Sequence, residues 1–110
     1  MNNSSADQDQ LRSILRQLGF APHHTGYKLL IDAIHLYAQN NCQSITKEIY
    51  PALAKQSRIY SAVSIERTMR YAISEAWTHG PLRAWQQYFP HQTKAPSNAF
   101  FIATLVEHGT

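Results

Sequence analysis

The sequence predicts an all-α protein, a six-helix bundle built around a helix-turn-helix. Successive segments carry apolar residues at three- and four-residue steps, which is the period of an amphipathic helix. No stretch of useful length alternates apolar and polar residues, so no strand is expected. Glycine, proline, serine, threonine or asparagine stands at the ends of most segments, where helices are capped or stopped.

The composition fits one folded domain. The chain has 110 residues, of which 44% are hydrophobic, and ten Lys and Arg against seven Asp and Glu give a net charge of +3. This mild basicity permits a polyanionic partner without demanding one. No apolar run approaches the ~20 residues of a membrane span, and the N-terminus lacks the features of a signal peptide. Cys42 is the single cysteine, so no internal disulfide can form and a cytoplasmic location is expected.

The first two helices follow a polar start. Residues 1–8 contain no apolar anchor and are expected to form a flexible tail, which leaves residues 9–110 as the domain. The first helix is predicted from Asp9 to Leu18, with Gly19 ending it. The second is predicted from a cap at Thr25 to about Gln39.

The third helical segment contains a proline. It runs from about Ser44 to Gln56, and Pro51 lies inside it. An interior proline costs ~3 kcal/mol, so a helical turn over 45–49 is predicted to lead into a straighter helix over 51–56. The connection over 57–60 is short enough for a helix-turn-helix, although it lacks the glycine often found in that turn.

The fourth segment is the longest and most regular. Ser61 can cap a helix over 61–79, and Gly80 is expected to end it in the left-handed conformation. Its predicted buried face consists of Ala62, Ile65, Met69, Ala72, Ile73 and Ala76. We expect Trp77, together with Ile65 and Met69, to hold this helix to the core.

The last two helices are shorter. Pro81 is well placed as the first residue of a fifth helix. Its apolar residues are Leu82, Trp85 and Phe89. After a loop over 90–96, Ser97 or Asn98 is predicted to cap a final helix that Gly109 ends.

The sequence gives little support for an enzyme. Its six histidines include no His-x-x-x-His or Glu-x-x-His pair, and Cys42 has no Cys-x-x-Cys partner. Neither a carboxylate pair nor a glycine-rich phosphate loop is present. We therefore expect no metal, no cofactor and no catalytic residues.

Basic residues cluster around the predicted helix-turn-helix. The first helix of such a motif crosses the phosphate backbone of DNA, and the second enters the major groove. Lys47, Lys55 and Arg58 lie on or just after the first helix, where they would suit phosphates. The second helix is then a candidate recognition helix, although the pattern alone also fits an ordinary solvated helix.

Three charged residues share the polar face of that second helix. Arg67 and Arg70 lie one turn apart, and an arginine fork can bind guanine O6 and N7 together. Glu66 could accept a hydrogen bond from a cytosine amine. The alternative for Glu66 is a salt bridge to Arg70, four residues along the helix.

Four stretches of the chain, in collinear order, form a recognisable set. They are 18–23 (LGFAPH) leading into Gly26, Tyr27, Leu30, Ala33 and Ile34; 44–47 (SITK), 49–51 (IYP) and 53–55 (LAK); 65–67 (IER), Arg70, 72–73 (AI), 76–77 (AW) and Gly80; and Lys94, Pro96, Asn98 and 101–103 (FIA). Together they resemble the DNA-binding output domain of the stage-zero sporulation protein A family, the sporulation initiation response regulators. The resemblance covers most of the chain, and the third stretch is the most specific.

The resemblance implies a sequence-specific transcription regulator that binds double-stranded DNA. The family domain is a winged-helix-like output domain without strands, and it binds a TGTCGA-type box, often as tandem head-to-tail copies that pair as a homodimer. The base-reading positions map onto Glu66, Arg67 and Arg70, all retained here. The short fifth helix of the family contacts the RNA polymerase sigma subunit, which implies a contact at Gln86 and Phe89.

Departures from the family pattern suggest an alternative. Ser64 stands where the family has an arginine, so we expect a weaker phosphate contact there, and the turn is one residue longer. Ala84 and Gln86 replace small hydroxyl residues on the fifth helix. The receiver domain that normally precedes this module has no counterpart in the chain, so no phosphorylation switch is expected. The alternative function is an interaction module that modulates a full-length regulator and has lost specific DNA binding.

Overall fold

A computed structural model describes residues 4–40, 44–58 and 60–109 of the chain, and these residues form six α-helices without a strand. The helices are α1 (Ser4–Gln17), α2 (Thr25–Asn40), α3 (Tyr50–Ser57), α4 (Ala62–His79), α5 (Leu82–Tyr88) and α6 (Asn98–Gly109). The predicted all-α six-helix architecture is confirmed. Within the described ranges no helix is long and apolar enough to cross a membrane.

The first helix begins earlier than predicted. It starts at Ser4 rather than Asp9, so residues 4–8 are helical. The division into a flexible tail and a domain from residue 9 stays a prediction. The segment contains no glycine or proline that would stop the helix ahead of its apolar stripe. The predicted end is confirmed, because Gly19 adopts a φ of 102° just after the helix.

The segment around Pro51 has the predicted two-part form. A π-helical turn over Ile45–Ile49 leads directly into α3, and Pro51 lies in the first turn of α3, the part of a helix in which proline is tolerated. Ser44 caps the π-helical turn: its Oγ accepts from the Lys47 N–H at 3.1 Å, and its own N–H donates to Glu48 Oε1 at 2.9 Å.

The turn between α3 and α4 contains a left-handed residue that is not glycine. Arg58 has a φ of 61° and a ψ of −5°, and its N–H donates to the Ala54 carbonyl at 3.1 Å. The Tyr60 N–H donates to Ser57 Oγ at 3.0 Å and closes the turn. Arg58 thus takes the backbone conformation that glycine would adopt more readily, at a cost of about 1 kcal/mol.

Helix α4 is capped as predicted, but it ends differently. The Ser64 N–H donates to Ser61 Oγ at 3.1 Å. The predicted left-handed conformation of Gly80 is wrong, because this residue is extended, with a φ of −81° and a ψ of 168°. Glycine is needed there for space: a Cβ on Gly80 would collide with the carbonyl oxygens of Leu18 and Ala76. Two backbone segments cross at this point, and only a residue without a side chain fits.

Trp85 is the centre of the core. Its side chain is 1% exposed and is surrounded by the rings of Phe20, Trp77, Phe89 and Phe101. Its indole N–H is shared between two carbonyl oxygens at the crossing, those of Leu18 at 2.9 Å and Ala76 at 3.1 Å. Trp77, which we expected to hold α4, is half-buried and lies at the edge of this cluster.

Helix α5 differs from its prediction at its N-terminal end. Pro81 is the residue before the helix rather than its first helical residue, since its ψ of 125° is extended. Leu82, expected on the apolar side, is exposed. Successive residues of a helix are turned by about 100° around its axis, so a shift of one residue in such a short helix is enough to move an apolar residue from the core to the surface.

Candidate nucleic-acid interface

The core holds α4 firmly along its inner face. Ile65 and Met69 are fully buried, as predicted. Helix α2 lies close to α4 because Gly26 has no side chain: a Cβ on Gly26 would collide with the Ala72 methyl group and lie 3.2 Å from the Thr68 carbonyl oxygen. The inner face of α4 is therefore fixed, and its outer face is presented as a rigid surface.

A buried asparagine holds the N-terminal half of α4. Asn98, at the start of α6, donates from Nδ2 to the Glu66 carbonyl oxygen at 3.0 Å and to the Tyr50 hydroxyl at 2.9 Å. Burial raises the pKa of the Tyr50 hydroxyl, while the Asn98 bond acts in the opposite direction. Tyr50 is thus neutral at physiological pH. The Asn98 side chain joins α3, α4 and α6.

The cap of α6 is Ser97, whose Oγ accepts from the Phe100 N–H at 3.1 Å.

The three predicted base-reading residues lie on the accessible side of α4. Arg67 is exposed and has no carboxylate within ion-pair distance among the described residues. Arg70 Nη1 forms an ion pair with Glu66 Oε2, so the alternative that the spacing predicted for Glu66 is present. The Arg70 side chain is 61% exposed, and such a surface pair contributes only ~0.3–0.5 kcal/mol. A stronger partner can therefore separate Glu66 from Arg70.

The four predicted phosphate contacts precede or open α4. Lys47 is exposed on the π-helical turn, Lys55 is exposed on α3, and Arg58 is exposed in the turn. Ser64 is half-buried in the first turn of α4. The N-terminal end of a helix carries a partial positive charge, so this end of α4 adds to the field of the three basic residues.

The two residues predicted to contact the polymerase have different environments. Gln86 is exposed on α5. Phe89 is 3% exposed and stacks on Phe101, with ring centroids 5.4 Å apart and planes 6° from parallel. The core thus occupies the Phe89 ring, whereas the Gln86 side chain is accessible to a partner. The polymerase contacts at both residues stay predictions.

Two residues near the interface were missed by the sequence analysis. Val63 lies in the first turn of α4, four residues before Arg67, and its side chain is 64% exposed. The spacing of this apolar residue relative to the arginines could have identified it from the sequence. Asn98 was recognised only as a possible cap, and no local pattern could have shown its long-range bonds to Glu66 and Tyr50.

The histidines do not assemble into a site. Among the described side chains, no group of three His, Cys, Asp or Glu residues is close enough to hold a metal ion. His24 instead stacks on Tyr71, with ring centroids 6.2 Å apart, and His79 lies 3.6 Å from Glu75. Cys42 lies outside the described residues, so the expectation that it takes no part in a metal site or in catalysis stays a prediction.

One protein-family model matches this chain over residues 11–108. Its description is "Sporulation initiation factor Spo0A C terminal". The matched range begins within α1 and reaches the last turn of α6, so it includes the π-helical turn and the whole helix-turn-helix.

Proposed function

Because the chain belongs to the family of the Spo0A C-terminal domain, the DNA-binding domain of a sporulation transcription factor, we propose that it binds a TGTCGA-type box as a sequence-specific transcription regulator. The main support for this proposal is the geometry of α4. Helix α4 is buried along its inner face and presents Arg67 and Arg70 on its accessible side, behind a short turn from α3. This is the arrangement by which a recognition helix enters the major groove.

The arginines have distinct roles in the proposed mechanism. Arg67 is available in the free protein and binds guanine through its two-pronged guanidinium group. Arg70 first separates from Glu66, which is weakly held, and then binds a second guanine. The released Glu66 carboxylate accepts a hydrogen bond from a neighbouring cytosine amine.

The residues before and at the start of α4 orient the domain on the DNA backbone. Lys47, Lys55 and Arg58 bind phosphates through charge, and the Ser64 hydroxyl adds a neutral contact where the family resemblance expects an arginine. Tandem boxes would bring two copies of the chain together. Of the two candidates for a polymerase contact, Gln86 and Phe89 on the segment of α5, Gln86 is the exposed one.

We expect the purified chain to bind a TGTCGA-type duplex more tightly than a scrambled duplex of the same length and composition. Fluorescence anisotropy titrations at several salt concentrations measure both affinities and their salt slopes. Salt weakens both complexes because phosphate contacts release counterions, whereas the ratio between the two reports base readout. Equal and weak binding to both duplexes contradicts the proposal and favours the alternative of an interaction module.

Lys55→Ala is expected to weaken binding to both duplexes by a similar factor and to lower the salt slope by about one, because one phosphate contact is lost. Arg12→Ala is the charge-matched control, since Arg12 is an exposed residue of α1 outside the helix-turn-helix. If both variants behave alike, the effect comes from net charge and Lys55 is not a phosphate contact.

A further inference from the structure

We infer that Val63 is a specificity-determining residue that contacts the 5-methyl group of a thymine, an inference that rests on the proposed function. The other aliphatic residues longer than alanine on α4 are buried: Ile65, Met69 and Ile73. Val63 is 64% exposed in the first turn of the same helix. Helix propensity does not explain why valine stands at this exposed position, because valine is a poorer helix former than alanine.

Val63 lies in line with the two arginines. Val63, Arg67 and Arg70 are spaced i, i+4 and i+7, so they share one face of α4. The first turn of a recognition helix is the part that reaches base edges in helix-turn-helix proteins. Val63 precedes Arg67 by ~6 Å along the helix axis, which corresponds to about two base pairs of DNA. A docking that lays this face of α4 along the bases and brings Arg67 to a guanine therefore brings Val63 close to a neighbouring base pair.

The chemistry of valine selects among the base edges. Its side chain has no donor and no acceptor, so it gains nothing from the polar groups of guanine, adenine or cytosine. The C5-methyl group of thymine is the apolar feature of the major groove. In a TGTCGA-type box every guanine has a thymine within two base pairs, on one strand or the other. A Val63 contact would therefore add readout of a thymine beside a guanine.

Deoxyuridine substitution isolates this contact, because uracil differs from thymine only by the methyl group. Each thymine of the box is replaced singly, and each duplex is titrated with the native chain and with Val63→Ala. At one thymine we expect the native chain to bind the uracil duplex about fourfold more weakly, the effect of removing one methyl-sized contact. Val63→Ala should bind these two duplexes equally, and its salt slope should match that of the native chain.

Leu82→Ala is the matched control, since Leu82 is an equally exposed apolar residue on α5 and should leave the fourfold ratio intact. A native chain that is insensitive to every uracil substitution overturns the inference, as does a Val63→Ala variant that keeps the native ratio. In both cases preference for the box over a scrambled duplex would leave the proposed function standing. Loss of that preference in the native chain overturns the proposed function and the inference together.

Discussion

Trp85→Ala should lower the free energy of unfolding by ~3–5 kcal/mol, the cost of emptying a large buried aromatic site. The Trp85 ring is 1% exposed, and its indole N–H is the shared donor for the Leu18 and Ala76 carbonyl oxygens. Removing it opens a cavity and takes away that donor where two backbone segments cross. Domains of this size are stable by only ~5–15 kcal/mol, so a loss of this size is a substantial fraction of the total stability.

Urea unfolding followed by far-ultraviolet circular dichroism measures this loss without relying on tryptophan emission. Trp85→Phe separates the two contributions, because it keeps an aromatic ring but removes the N–H; we expect a loss of ~1–3 kcal/mol from the carbonyl groups left without that donor. Trp77→Phe, at the half-buried edge of the same cluster, is the control and should cost less. A Trp85→Ala variant within 1 kcal/mol of the native chain would show that the core does not depend on this residue.

Arg70→Ala should weaken binding to the TGTCGA-type box by ~1–3 kcal/mol while leaving binding to a scrambled duplex almost unchanged. The loss falls on the box because the arginine contact to guanine is lost there, whereas in the free protein Arg70 only pairs weakly with Glu66. Parallel anisotropy titrations on both duplexes measure the difference. The effect on unfolding should be only ~0.3–0.5 kcal/mol, since the ion pair with Glu66 is exposed.

Arg83→Ala provides the charge-matched comparison, because Arg83 is an exposed residue of α5. It should reduce binding to both duplexes slightly and equally. If Arg70→Ala behaves in the same way, Arg70 serves only as the partner of Glu66, and the assignment of base-reading residues to α4 would have to be reduced to Arg67.

Local patterns were sufficient to predict the helices. Apolar periodicity gave the inner face of α4, and the position of Pro51 gave the two-part form of the third segment. Both depend on residues within a few positions of one another. The extended conformation of Gly80 could not be predicted in this way, because it depends on the distant Leu18 carbonyl. The shared bond of Trp85 is equally non-local.

The candidate site was predictable to a similar extent. The spacing of Glu66 and Arg70 predicted their ion pair, because residues four apart on a helix are neighbours. The apolar spacing placed Phe89 on the buried side of α5, but the exposure of Leu82 was not predictable, because packing against the distant α6 decides which side of a short helix is buried. Asn98 was missed for the same reason: its bonds reach Glu66 and Tyr50, far away in sequence.

The left-handed Arg58 creates a trade-off between thermal stability and DNA affinity at one position of the chain. Glycine at this position would remove the backbone strain and so stabilise the turn. The greater conformational freedom that glycine gives the unfolded chain would offset part of this gain in stability. Glycine would also remove a positive charge that we propose lies against phosphate. A directed-evolution screen for heat resistance would then enrich variants that bind DNA less well, whereas a screen for binding would retain the strained arginine. Engineering a more stable form of this domain should therefore leave position 58 unchanged and seek its gains elsewhere.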